Sequence, residues 1–423
     1  MNSYGTAFRI ASRFGSSKPE NPRVLLYSHD TYGLGHLRRN LAIAAHLLER
    51  DRPFSVTLLT GSPVAHSWPM PSGLRVQPLP PVIKTGAEEY ASRDSSKSFS
   101  EVRAHRESVI LDTLKEYRPD IFLVDHAPAG MKGELLPSLA FIRTYMPEVH
   151  VVLGLRDILD SPVAVRELWE KQGIYRLLRN HYDDILVYGT PRLFDAVREY
   201  ALPPLVAARA YYCGYIVRET ARSHSENVKR IDAAPKREAP KFLVTAGGGG
   251  DGYPMMTAYL QALTTIPHHA VTTTIVTGPL MQSEERCILE QAARQRPDVR
   301  LIPHTTELID YICEADLIVA MCGYNTTAEI LAARKASILV PRAKPRAEQR
   351  LRAARIGEMG LAWVVNPDED PVSRLSDLLQ AAVAGRRPPL ADWNGIDLAG
   401  VYRVAYALEH MLPTSGLARE VNG

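Results

Sequence analysis

Cysteine is scarce in this sequence and nowhere paired. The four residues, Cys213, Cys287, Cys313 and Cys322, include no C-x-x-C pair, so a zinc ribbon or a dithiol redox motif has no support. So few cysteines in a long chain read as reduced thiols of an intracellular protein. Long apolar runs are missing as well. No stretch approaches the roughly 18 uninterrupted apolar residues of a membrane-crossing helix, and residues 1–22 hold Phe8 and Ile10 but no apolar signal region. The expectation is a cytoplasmic protein that spans no membrane, with room left for peripheral contact on the inner face. Charge of one sign is also lacking: the formal net charge is +3, which gives no reason to expect nucleic acid as a partner. Short-period repeats, low-complexity tracts and a Walker phosphate-binding pattern are absent.

What is present is a β-α rhythm, long enough at 423 residues for two or three domains. Residues 1–22 read as a flexible arm. Val24 to Ser28 is a short apolar run and reads as a buried strand. A helix follows with Leu37, Leu41, Ala44, Ala45 and Leu48 on one face. Further strands are expected at Ser55–Thr60, Ile121–Asp125, Val151–Leu155 and Ile185–Tyr188. Strands that are apolar almost throughout belong to parallel sheets covered on both faces. From Arg218 to Lys241 the chain carries seven basic residues, four acidic residues and two prolines, and reads as an interdomain linker. A second series begins at Phe242–Thr245 and continues through Thr273–Val276, Val299–Ile302, Leu317–Ala320, Ser337–Val340 and Ala362–Val365. The expected fold class is α/β, with two doubly wound, Rossmann-like domains. The first covers 23–217, the linker 218–241 and the second domain 242–395. A helix within 396–423 is expected to cross back to the first domain. The segment from Pro78 to Ser100 reads as irregular and polar, a candidate lid over a substrate.

Each domain opens with a strand, a glycine-rich loop and a helix. The first loop is His29 to His36 with Gly33 and Gly35; the second is Ala246 to Gly252 with Gly247, Gly248, Gly249 and Gly250. Glycines let backbone approach a ligand closely, and the helix start behind such a loop offers unpaired N–H groups. A plain tight turn explains either loop about as well. The dinucleotide fingerprint fits poorly, because Arg38 stands where the third glycine belongs and the next strand closes with Thr60-Gly61 rather than an acid.

The most specific stretch runs from Glu314 through Ile330 to Gln349. It reads as a strand, a turn at Gly323, N-cap residues Asn325, Thr326 and Thr327, and an acid, Glu329, about one turn into a helix. A carboxylate there can accept two ribose hydroxyl bonds, or it can simply complement the helix start. His36 sits in the first turn of the first helix, where a helix end would keep it neutral and able to take a proton from a hydroxyl. Arg38 and Arg39 read first as exposed helix arginines and second as contacts to phosphate or an anionic acceptor. Arg156-Asp157, following a strand, ranks below His36.

The pattern Asp316 to Gln349, with the Gly33–Arg39 and Gly247–Gly250 loops, resembles the GT-B glycosyltransferases. It is closest to family 28, which includes the N-acetylglucosaminyltransferase of peptidoglycan precursor synthesis. The resemblance implies two domains facing across a cleft and a nucleotide-sugar co-substrate, by default a UDP-sugar, with no other cofactor and no metal. It implies that Glu329 holds the ribose and that Glu348 and Gln349 face the donor sugar. Gly247, Gly248, Gly249 and the Gly323–Thr327 turn would lie near the diphosphate, with Gly33 and Gly35 opposite and His304 near the base. His36 would be the general base beside the acceptor, oriented by Asp125 as in related plant sugar transferases, and the reaction would invert configuration. The continuation Asp251-Gly252 departs from the family pattern. The acceptor stays open between a small molecule, a glycan and a lipid-linked substrate.

Two features mimic sites. Asp368-Glu369-Asp370 looks like a D-x-D metal motif but reads as a solvated helix start. Arg342 to Arg355, with six basic residues and one acid, could face lipid phosphate but reads as a solvated helix face with Leu351 and Ile356 inward. The Gly33 to Arg39 string also resembles the G-x-G-H-x-x-R loop of UDP-sugar hydrolases on the same fold. Sugar-nucleotide 2-epimerases and a non-catalytic nucleotide-sugar-binding protein are the remaining alternatives.

Overall fold

The computed structural model describes residues 21–30, 35–63, 65, 68–84, 89–93, 96–218, 239–342, 344–390 and 393–412. Residues 1–20 of the expected arm, Gly33 and most of the expected linker lie outside these residues.

The first sheet has seven strands: β1 (Arg23–Ser28), β2 (Ser55–Thr60), β3 (Arg75–Pro78), β6 (Ile121–Asp125), β7 (His150–Arg156), β8 (Asp184–Tyr188) and β9 (Ala210–Tyr212). Their order is β3-β2-β1-β6-β7-β8-β9, and all neighbours are parallel. The second sheet has β10 (Lys241–Thr245), β11 (Thr272–Val276), β12 (Val299–Ile302), β13 (Leu317–Ala320), β14 (Ser337–Leu339) and β15 (Trp363–Val364), in the order β12-β11-β10-β13-β14-β15. Alternation along β10 shows how both faces are used. Phe242 and Val244 join one core cluster, while Leu243 joins the other. That other cluster runs on through Tyr215, Ile216, Cys322 and Tyr324 into the first domain.

Four helices shape the space between the sheets: α1 (Gly35–Leu48) after β1, α2 (Tyr324–Ala332) after β13, α3 (Glu348–Glu358) after β14, and α4 (Gly400–Met411). The last packs back on α1. Its Tyr402 ring meets His46 edge-on at 4.6 Å, and Glu409 pairs with Arg50 at 2.7 Å. Among the described residues no helix is long and apolar enough to cross a membrane.

Two strand expectations need correction. The segment after Pro78 is not wholly irregular, since β4 (Val82–Lys84) and β5 (Tyr90–Ser92) pair antiparallel. Val82 packs with Val102 and Met131 in a small cluster. Strands of three residues are too short to leave a periodic signal. The edge strands β3 and β9 were also not foreseen, because their residues are largely exposed or half-buried and form no apolar run.

Candidate active site

In each sheet the chain winds outward from the first strand to one side and then returns to start the other side. The reversal lies between β1 and β6 in one sheet and between β10 and β13 in the other. Crevices at the carboxyl ends of strands at such reversals are where open α/β sheets bind ligands. Residues that follow three of these strands, β1, β10 and β13, line one cleft of about 210 Å³, and Arg156 at the end of β7 joins them. His36, Gly35, Arg38, Arg39 and Arg156 come from the first domain. Gly247 to Asp251, His304, Gly323 to Thr326, Arg342, Glu348 and Gln349 come from the second. The two sides touch where Asn325 Nδ2 donates to the carbonyl of Gly35 at 3.0 Å.

Asp125 ends β6 and is 1% exposed. Its Oδ2 lies 2.6 Å from His36 Nδ1. A carboxylate that close assigns the ring proton to Nδ1 and leaves Nε2 as the lone-pair atom. Burial is the main cause that lowers the His36 pKa; Asp125 opposes it, and the Arg39 and Arg156 cations add to it. Burial alone would raise the Asp125 pKa, but Arg39 and His36 outweigh it and hold the carboxyl at about 2. His29 and His126 complete the surroundings, with ring centroids 5.7 and 5.0 Å from that of His36.

On the donor side, the glycines meet a backbone demand. Gly249 has φ +90°, and a Cβ there would lie 2.1 Å from the carbonyl oxygen of Thr277. Gly323 is different: a Cβ would meet nothing within 4 Å, so the cleft is open in front of it. Gly323 is also the N-cap of α2, with no side-chain cap bond. This corrects the expectation for Asn325, Thr326 and Thr327, which lie inside the helix. Asn325 bridges to Gly35 and Thr326 lines the cleft, whereas Thr327 is 1% exposed and bonds Cys322 Sγ at 3.6 Å.

Glu329 is 3% exposed and is not among the residues lining the cleft. Arg38, which does line it, reaches Glu329 Oε1 at 2.7 Å, and Arg218 reaches the same oxygen at 3.1 Å. Glu348 opens α3 and is held by Arg156 at 3.0 Å and Arg342 at 2.8 Å. Gln349 Oε1 accepts from the Arg342 backbone N–H at 3.3 Å. Asp251, the departure from the family pattern, pairs with Arg342. His304 lies against Trp68 of the first domain, ring centroids 5.8 Å apart, and Arg38 stands 6.0 Å from the same tryptophan ring.

Several charged residues sit where the sequence reading did not expect them. Arg39 is 2% exposed, not an exposed helix arginine. Arg352, expected on a solvated face, is fully buried and joins the domains by bonding Asp157 at 2.8 and 3.2 Å. Tyr215 donates to the same carboxylate at 2.7 Å. Ile356 is buried as expected, Leu351 only half so. The Asp368 cluster is exposed, and Asp370 caps the helix Pro371–Val383 by accepting from Ser373 N at 2.8 Å. Trp68 carried no sequence signal, being one aromatic residue in a Pro-rich turn.

Comparison with known proteins places this geometry. Residues 247–392 match the model of the glycosyltransferase family 28 C-terminal domain. The chain is 21% identical over 271 residues to the UDP-N-acetylglucosamine--N-acetylmuramyl-(pentapeptide) pyrophosphoryl-undecaprenol N-acetylglucosamine transferase of Histophilus somni (strain 129Pt), covering 63% of this chain and 65% of that one. It is 24% identical over 256 residues to the protein of the same name from Alkaliphilus oremlandii (strain OhILAs), covering 58% and 67%. The matched region thus spans about two thirds of these relatives. Among solved structures, CalG4, the calicheamicin glycosyltransferase, superposes with a TM-score of 0.58 at 16% identity, over 94% of this chain and 100% of that one. At that identity the likeness shows the fold, two facing Rossmann-like domains, and no more.

Proposed function

We propose that this chain, whose residues 247–392 match the glycosyltransferase family 28 C-terminal domain and whose fold is shared with GT-B glycosyltransferases, moves a sugar from a nucleoside-diphosphate sugar to an acceptor hydroxyl. A UDP-sugar is the donor this reading favours, since both curated relatives are named for UDP-N-acetylglucosamine. The observation that carries the proposal is the His36–Asp125 pair at 2.6 Å, set across one cleft from the Gly247–Gly250 loop and the start of α2. In the proposed step, His36 Nε2 takes the acceptor hydroxyl proton as that oxygen attacks the anomeric carbon. The bond from the anomeric carbon to the diphosphate oxygen breaks on the opposite side, so configuration inverts. Asp125 stabilises the imidazolium that forms. Backbone N–H groups of the glycine loop and the α2 start meet the departing charge. Closure of the domains excludes water and aligns the reactants.

The test is release of the nucleoside diphosphate by purified protein, with and without candidate acceptors. Acceptor-dependent release supports transfer. Equal release without acceptor means hydrolysis, and donor binding without release means a binding protein; either result overturns the proposal.

A further inference from the structure

Arg39 lies three residues after His36 on α1, hence on the same helix face. Its Nε approaches Asp125 Oδ1 at 3.0 Å, and its Nη2 approaches Oδ1 and Oδ2 at 2.6 and 2.8 Å. The same Nη2 is 3.0 Å from His36 Nδ1. With the ring proton directed at Asp125, that last approach sets a cation against a ring N–H. The guanidinium is also fixed by rings from both domains, 5.7 Å from the Tyr188 centroid and 5.4 Å from that of Tyr324. It cannot swing away without losing aromatic contacts and the carboxylate together.

We infer that Arg39 is a positioning residue for the His36–Asp125 pair: it clamps the carboxylate and sets how readily the imidazole takes up a proton. The inference rests on the reading of His36 as general base. A histidine paired with a lone carboxylate goes from net charge −1 to neutral on protonation. With Arg39 in the cluster it goes from neutral to +1, which a buried site resists. The other charged or titratable groups facing His36 are His29 and Asp30 from the end of β1, Asp125 and His126 from the end of β6, and Arg156 from the end of β7. Arg156 acts in the same direction but is engaged by Glu348. Among the described residues Arg39 pairs with no acid other than the one that His36 itself uses.

The experiment is a histidine-selective NMR titration of the full, ligand-free chain, the His36 signal being identified by its loss in His36→Gln. In Arg39→Met the His36 midpoint should rise by roughly one to three pH units, and in Arg39→Lys it should stay near wild type. The acid limb of nucleoside-diphosphate release should move up with it, with donor KM changed less than about threefold. An unmoved midpoint in folded Arg39→Met overturns the inference and leaves the general-base reading intact. A moved midpoint with an unmoved kinetic limb upholds the inference and sinks the general-base reading. Should Arg39→Met not fold, Asp125→Asn compared with Asp125→Asn/Arg39→Met reads the same effect. The double variant should then titrate higher, and equal midpoints overturn the inference.

Discussion

Removing the Glu329 carboxylate probes the ribose contact in the proposed donor site. Glu329 Oε1 is held by Arg38 and Arg218, while Oε2 is buried with no hydrogen-bond partner among the described residues. A ribose that reaches this acid gains charge-assisted bonds of about 1.5–3 kcal/mol. It gives up part of the Arg38 contact, worth about 1 kcal/mol for an arginine that can turn into the open cleft. The net is about 0.5–2 kcal/mol, so Glu329→Ala should weaken UDP binding by roughly two- to thirtyfold. Calorimetry with UDP and with 2′,3′-dideoxy-UDP closes a cycle. The dideoxy ligand should bind wild type more weakly than UDP does, and Glu329→Ala should no longer distinguish the two. Unchanged UDP affinity, or the same discrimination in both proteins, would refute the reasoning.

Four further outcomes are expected. His36→Ala should cut turnover by about 10²–10⁴-fold with donor affinity changed less than roughly threefold; near-normal turnover sinks the base assignment. EDTA should leave most activity intact, because Asp370 is engaged as a helix cap and the Asp368 cluster does not line the cleft; loss that manganese or magnesium restores would show a metal requirement. Burial lowers the pKa of His36 and His126 below 6.5, so just below pH 6.5 these two histidines bind more protons in the unfolded chain than in the folded one. Stability should therefore fall as pH drops from about 6.5, by up to about 1.4 kcal/mol per pH unit for each histidine, and a urea midpoint flat between pH 7.5 and 5.5 contradicts this. Asp157→Ala leaves Arg352 buried without its acid and should cost about 3–5 kcal/mol; a loss in urea unfolding below about 1 kcal/mol would mean the pair is not what holds the domains.

The sheets were legible because parallel strands covered on both faces are apolar almost throughout, as in Phe242–Thr245, and because glycines mark the loops that follow them. The cleft was legible for the same reason: strand ends at the two reversals carry it. What stayed hidden was the pairing of charges. Arg39 and Asp125 are 86 residues apart, and Arg352 and Asp157 are 195 apart. Nothing local separates an arginine that reaches a distant acid from one that faces solvent, so both read as exposed helix residues. Glu329 was read from its place on the helix, but its distance from the cleft wall depends on Arg38, a residue of the other domain.

The acids in and behind the cleft divide by the exposure of their partners. Asp125 with Arg39 and Asp157 with Arg352 have both side chains 1% exposed. Removing one member of such a pair strands a buried charge, so these pairs form the fixed frame of the site. Glu329 and Glu348 are held instead by arginines 12%, 26%, 14% and 22% exposed, namely Arg38, Arg218, Arg156 and Arg342. Those arginines are nearer the surface and can turn toward the cleft, but Glu329 and Glu348 are themselves buried and then need replacement donors. On the proposed function, sugar and ribose hydroxyls take their place at the acids, and Arg38, Arg156 and Arg342, which line the cleft, remain to meet the diphosphate. The exchange leaves each acid with hydrogen-bond donors and sets the cleft arginines beside an anion. The same cleft can thus be closed by its own ion pairs and still admit a charged donor, while the base and its two partners stay where they are.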